Sequence, residues 1–68
     1  MTFEEFLWDV KETVAKHHSL RVGQAIMNKL YDCNRSKYES ILAGEYDCFY
    51  SESIVDKTLE KLKEEWND

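Results

Sequence analysis

Apolar residues recur at helical spacing along almost the whole chain. In the first segment they follow three- and four-residue steps and share one helix face: Phe3, Phe6, Leu7, Val10 and Val14. Thr2 and Glu5 have the spacing of a capping box, in which the threonine oxygen accepts from an early backbone N–H and the glutamate reaches back. We therefore predict a first helix that begins at Thr2.

A second helix is predicted from Leu20 to Cys33, with Ser19 as its cap. Its apolar face consists of Val22, Ile26, Leu30 and Cys33, with Met27 and Tyr31 beside it. Cys33 lies on this face, so a buried thiol is expected. Gly23 costs about 1 kcal/mol relative to alanine inside a helix. A glycine at such a position indicates close contact with a neighbouring helix.

The remaining pattern predicts a short third helix and a longer fourth one. Asn34 or Ser36 begins the third helix, and Gly44 ends it in a left-handed conformation. Ser51 or Ser53 caps the fourth, whose apolar residues are Ile54, Val55, Leu59, Leu62 and Trp66. Their spacing resembles a coiled-coil seam, but we favour packing within one chain over a homodimer. The expectation is a single all-α domain over residues 1–68, with three longer helices and one short helix.

Residues 45–50 are the least regular part of the chain. Gln24 and Asn28 lie four positions apart and therefore share a helix face. We expect their side-chain amides to bind the backbone of this segment rather than a ligand. Phe49 and Tyr50 would then dock under the second helix.

The net charge of the chain arises in one place. Residues 38–56 contain five acids, four aromatic residues and no Lys or Arg, whereas the rest of the chain has equal numbers of acids and bases. Acids beside large aromatic rings suit a positively charged protein partner. The candidate partner-binding residues are Glu39, Glu45, Tyr46, Asp47, Tyr50 and Glu52. The alternative is that the aromatic residues are core and the acids only solvate the surface.

Composition excludes several classes of function. The isoelectric point near 4.9 disfavours binding to nucleic acid or to an anionic membrane, and no apolar run is long enough to span a bilayer. The N-terminal residues lack the apolar core of a secretion signal. We therefore expect a cytoplasmic protein with reduced thiols.

No constellation of catalytic or metal-binding residues is apparent. His17 and His18 are adjacent, diverge on a helix and are expected to be exposed. Cys48 has no neighbouring base, and its acidic neighbours raise the thiol pKa. Asp47 fits a turn or cap residue better than a ligand. With no phosphate-binding loop or nucleophile elbow, we expect neither an enzyme nor a bound metal or cofactor.

A helix-turn-helix DNA-binding protein is the alternative from another class. The second and third helices and the turn between them have about the right lengths. The recognition helix would present Arg35, Lys37 and Tyr38, but the acids Glu39 and Glu45 follow them in the sequence. Phosphate binding needs a basic surface, so this interpretation ranks second.

Two segments resemble small, mostly uncharacterised proteins of tailed bacteriophages and prophages. Residues 21–31 read R-x-G-Q-x-x-x-N-x-L-Y, and residues 47–50, D-C-F-Y here, correspond to D-P-F-Y in that group. The resemblance covers about residues 20–66. It implies a phage-encoded protein of the host cytoplasm without implying an activity. Arg35 and Cys48 replace prolines of the group, which leaves the backbone less restricted there.

Charge placement and this resemblance together predict a small non-enzymatic protein that binds another protein. The partner would be a host or phage protein with a basic surface. Binding would inhibit or modulate a host nucleic-acid-handling or defence complex.

Overall fold

The structure, a computed structural model, describes residues 1–66, and over those residues it consists of helices and connecting segments without a β-strand. In chain order the elements are α1 (Phe3–Lys16), α2 (Val22–Cys33), α3 (Arg35–Ile41), a 3-10 turn (Glu52–Ile54) and α4 (Val55–Glu65). The predicted all-α fold with three longer helices and one short helix is confirmed.

The first helix begins as its sequence predicts. The Glu5 backbone N–H donates to Thr2 Oγ1 at 3.1 Å, and the Thr2 N–H donates to Glu5 Oε1 at 2.7 Å. The bond from the Thr2 backbone lowers the pKa of the Glu5 carboxyl, because it stabilises the charged form. This capping box fixes the residue at which α1 begins.

The core is built mainly by α1 and α2, with Ile41 of α3, Cys48 and Leu62 of α4 added to it, and the residue after α4 closes one end. The ring of Trp66 lies 5.6 Å from Phe3 and 5.1 Å from Phe6, measured between ring centroids. Its indole N–H donates to the Met1 carbonyl oxygen at 2.9 Å. Leu62 is fully buried, and the other apolar residues of the fourth helix pack against the core. The apolar residues of α4 therefore pack against the core of the same chain.

The start of α2 differs from the prediction. The helix begins at Val22 with Arg21 as its N-cap, so Ser19 is not its cap. Gln24 Oε1 accepts from the Arg21 N–H at 3.1 Å. The Gly23 N–H donates to Glu52 Oε1 at 2.8 Å, across 29 positions of sequence. A free N–H in the first turn of a helix needs an acceptor, and here a distant carboxylate supplies it.

Gly23 permits a close approach, but the neighbour is a loop backbone and not a helix. The Cys48 carbonyl group lies directly against the Gly23 Cα, where a β-carbon would overlap it. The Cys48 thiol donates to the Gly23 carbonyl oxygen at 3.6 Å. On the other side of this loop, the buried Thr58 hydroxyl of α4 donates to the Tyr46 carbonyl oxygen at 2.7 Å. These bonds fasten residues 46–48 between α2 and α4.

The expected role of the amides on α2 is wrong. Gln24 caps its own helix, and Asn28 is exposed, while Cys48 and Thr58 make the bonds that hold the irregular segment. The expectation that Cys33 is buried is also wrong, since its side chain is exposed at the end of α2.

The segment after α3 turns through a residue other than the predicted one. Ala43 has a φ of 60°, and neither glycine has a positive φ, so the expected left-handed Gly44 is wrong. Asp47 stabilises this turn: its Oδ2 accepts from the Ala43 N–H at 2.6 Å, and its Oδ1 accepts from the Phe49 N–H at 3.0 Å. The expectation that Asp47 is a turn residue is confirmed.

The predicted cap of α3 is confirmed, and the predicted cap of α4 is wrong. Asn34 caps α3 as predicted, with its side chain accepting from the Lys37 N–H at 3.1 Å. The 3-10 turn precedes α4, whose N-cap is Ile54, and neither Ser51 nor Ser53 is that cap. The serine prediction was wrong because the 3-10 turn occupies the positions at which the serines would act.

Candidate functional site

An open groove of about 410 Å³ lies between α2, α3 and residues 47–50. We call it the aromatic groove, after the four rings among its lining residues: Met27, Asn28, Tyr31, Tyr38, Leu42, Asp47, Phe49 and Tyr50. Five of these eight residues belong to the acidic segment, residues 38–56. The groove therefore combines the aromatic and acidic features that the sequence brings together.

The four rings form two edge-to-face pairs. Tyr31 and Tyr38 have centroids 5.1 Å apart at an interplanar angle of 85°, and Phe49 and Tyr50 have centroids 4.8 Å apart at 70°. Such pairs are favourable arrangements of aromatic quadrupoles. Yet Tyr31 is 47% exposed and Tyr50 is 86% exposed. Much of the surface of Tyr31 and Tyr50 thus faces solvent. The neighbouring ring in each pair already fixes the orientation of these exposed rings.

Asp47 is the acidic residue among those that line the aromatic groove. Each of its oxygens accepts one backbone N–H, from Ala43 and from Phe49. An ionised carboxylate offers about four acceptor positions, so about half of its capacity remains for another donor. The two backbone bonds also fix the orientation of the group.

The two cations of α3 are engaged within the fold. The Arg35 guanidinium carbon lies 3.6 Å from the centroid of the Tyr31 ring, and its Nε donates to the Tyr31 carbonyl oxygen at 3.1 Å. The Lys37 ammonium donates to the Glu65 carbonyl oxygen at 2.6 Å and lies 3.9 Å from its carboxylate. Contacts within the chain therefore hold both side chains.

The connection between α2 and α3 is also shorter than the turn of a helix-turn-helix DNA-binding motif. Asn34 alone joins them, as the C-cap of one helix and the N-cap of the next, whereas helix-turn-helix motifs use a turn of about three or four residues. The geometry therefore gives the DNA-binding alternative no support.

The predicted partner-binding residues are divided among several surroundings. Asp47 and Tyr50 line the aromatic groove. Glu39 and Glu45 are exposed, the first on α3 and the second in the segment that follows it. Glu52 caps α2 through the Gly23 N–H, so its carboxylate has a structural role.

Tyr46 faces α4 instead of the groove. Its ring lies 5.3 Å from the Lys57 ammonium and 5.1 Å from the Lys61 ammonium. It lines a separate polar depression with these lysines and with Glu60 and Glu64. Residues 38–56 contain no lysine, but the fold brings two lysines of α4 next to Tyr46. The acidic surface therefore ends on this side.

Sequence reasoning assigned no binding role to the groove residues of α2. The sequence pattern sets Tyr31 and Met27 beside the apolar face of the second helix, and it singles out no role for Leu42. Only Met27 of these is buried, while Tyr31 and Leu42 are about half exposed.

Neither thiol has the lowered pKa that activates a catalytic cysteine. Burial raises the pKa of the Cys48 thiol, and partial burial raises the pKa of the Cys33 thiol. His17 and His18 are exposed, as predicted. Within residues 1–66, no three His, Cys, Asp or Glu side chains converge in a way that could hold a metal ion. In the same part of the chain, no helix has the length and apolar character required to cross a membrane.

Comparison with known proteins adds no relative. No protein family, curated protein or solved structure matches this chain.

Proposed function

We propose that this protein is a non-enzymatic binding protein that docks another protein in its aromatic groove. The observation that carries the proposal is the exposure of Tyr50, at 86%, beside three other rings in one groove of about 410 Å³. Tyrosine is enriched in the buried centres of protein interfaces, where its ring loses little conformational entropy on binding.

The charge of the groove favours a partner with a basic surface. Asp47 lies in the groove, and the segment that provides most of its lining carries the whole net charge of −5. Opposite charge on the partner accelerates encounter and disfavours acidic competitors. In this proposal Glu39 and Glu45 provide long-range attraction, and the rings provide the contact area.

The proposed biological setting is based on the resemblance of two segments to phage proteins. As a phage-encoded protein in the host cytoplasm, it would bind a host or phage protein and thereby inhibit or modulate a nucleic-acid-handling or defence complex. Occupation of a basic surface is a direct route to such inhibition, since that surface would otherwise bind phosphates.

The first test is affinity capture from a nuclease-treated bacterial lysate with three versions of the tagged protein. These are the wild type, Tyr50→Ala and the control Trp8→Ala. Both variants remove an exposed ring: Trp8 is 63% exposed on α1 and is not among the groove residues. We expect a stoichiometric protein that the wild type and Trp8→Ala retain and Tyr50→Ala loses.

Two outcomes would contradict the proposal. Capture that survives Tyr50→Ala but fails with Trp8→Ala would assign binding to α1 and refute the groove. Recovery of nuclease-sensitive material alone, from a lysate without nuclease, would favour the DNA-binding alternative.

A second test isolates the charge. Glu45→Lys alters an exposed acid of the acidic segment, and Glu12→Lys makes the same change on α1. We expect Glu45→Lys to reduce the association rate and its dependence on salt, with a smaller effect from Glu12→Lys. Asp47 and Glu52 are unsuitable for this test, because both accept backbone hydrogen bonds that maintain the fold.

A further inference from the structure

We propose that the aromatic groove binds the guanidinium group of an arginine side chain on the partner. This inference rests on the proposed function, and it specifies which side chain of the partner enters the groove. The argument depends on the two ring pairs, on the Asp47 carboxylate and on an arginine of this chain that already contacts one of the rings.

The rings offer the kind of surface on which a guanidinium stacks. Two edge-to-face pairs line one groove, so ring faces and ring edges meet there at steep angles, 85° in one pair and 70° in the other. The negative face of an aromatic ring attracts a cation, most strongly a planar one that can also stack. The exposed surface of Tyr31 and Tyr50 is therefore suited to a cation with an apolar stem.

Asp47 supplies the opposite charge in the same groove. Its two oxygens each accept one backbone N–H and keep about half of their acceptor capacity. A guanidinium can donate two parallel N–H groups to such a carboxylate, whereas an ammonium cannot match that geometry. This difference favours arginine over lysine as the occupant.

Arg35 shows that a ring of this groove accepts a guanidinium. Its guanidinium carbon lies 3.6 Å from the centroid of Tyr31, yet Arg35 is not among the residues that line the groove. It covers part of the Tyr31 surface and adds positive charge beside the groove. It therefore weakens the binding of an incoming arginine, and its removal should strengthen that binding.

The test is a nuclear magnetic resonance titration of the isotope-labelled full chain with three blocked tripeptides. They carry arginine, citrulline or norleucine between two glycines. Citrulline keeps the planar shape of arginine without its charge, and norleucine keeps only an apolar stem. We expect millimolar binding of the arginine peptide, about tenfold weaker binding of the citrulline peptide, and shifts centred on the amides of Tyr31, Asp47 and Tyr50.

Two variants locate the site. Tyr50→Ala should weaken binding of the arginine peptide severalfold without unfolding the protein, because its side chain is almost fully exposed. Arg35→Gln should strengthen it about two- to fivefold. Trp8→Ala, away from the groove, should leave it unchanged.

The result that overturns the inference is equal binding of the three peptides, stronger binding of norleucine, or no shift at the groove at millimolar concentration. If protein capture depends on Tyr50 while arginine shows no preference, the groove docks a protein through apolar contact alone. If arginine is preferred and no protein is captured, the arginine site stands and the proposed function fails.

Discussion

Replacement of Gly23 by alanine tests the contact that fastens the irregular segment to α2. The new β-carbon would overlap the Cys48 carbonyl oxygen and would lie 3.0 Å from its carbonyl carbon and 3.2 Å from Glu52 Oε1. The nearest atoms are backbone, so no change of rotamer relieves the overlap. The segment must move away from the helix.

The expected magnitude follows from three contributions. Displacement weakens the bond from the Gly23 N–H to Glu52, a helix cap worth about 1 kcal/mol. Rearrangement around an overpacked position costs about 1–3 kcal/mol. Alanine in a helix offsets about 1 kcal/mol of this. The free energy of unfolding should therefore fall by about 1–3 kcal/mol, a large part of the ~3–5 kcal/mol expected for so small a core.

Gly44→Ala is the matched control. Its β-carbon would lie 3.5 Å from the Ile41 carbonyl oxygen, an ordinary contact, and Gly44 does not have a positive φ. Alanine there restricts the unfolded chain without straining the folded one. We expect unchanged stability or a gain of about 0.4–1 kcal/mol.

The assay is urea unfolding of the wild type and both variants, followed by far-ultraviolet circular dichroism. The sign of the effect at Gly23 separates two accounts. Helix propensity alone predicts a more stable Gly23→Ala variant, whereas the contact with Cys48 predicts a less stable one. A Gly23→Ala variant as stable as the wild type would refute the close approach of the loop to the helix.

Three further predictions concern side chains around the same segment. Thr58→Val should lower the free energy of unfolding by about 1–3 kcal/mol, because the Tyr46 carbonyl loses its buried donor; urea unfolding should show Thr58→Ser closer to the wild type. In the native protein a thiol reagent should modify the exposed Cys33 rapidly and the buried Cys48, whose pKa is raised, only after unfolding; equal rates would contradict the burial. Ala43→Gly should raise the melting temperature slightly, since a φ of 60° costs a non-glycine residue about 1 kcal/mol, and a lower melting temperature would show that the position is unstrained.

The sequence by itself determined the features that depend on neighbours a few positions away. The capping box at Thr2, the cap at Asn34 and most of the apolar face of each helix were predicted correctly, with Cys33 as the exception. The turn function of Asp47 was as well. Each of these depends on hydrogen bonds or spacings within about one helical turn, where the types of residue fix the geometry.

Predictions failed where a distant residue performs a local task. Glu52 caps α2 from 29 positions away, so no serine is needed at the start of that helix. The left-handed residue after α3 is Ala43 rather than Gly44, although the bond from its N–H to Asp47 is local. A local pattern records only which residues can act as caps or turn residues, and the partner brought near by folding decides which one does.

The sequence likewise predicted some residues of the candidate site, and the tertiary structure revealed the others. Composition showed that acids and aromatic rings are concentrated in residues 38–56, and Asp47 and Tyr50 lie in the groove. Only the tertiary structure added Tyr31 from α2 and turned Tyr46 toward the lysines of α4. A surface is assembled from segments far apart in the chain, and their relative placement depends on core packing and long-range hydrogen bonds that no local pattern encodes.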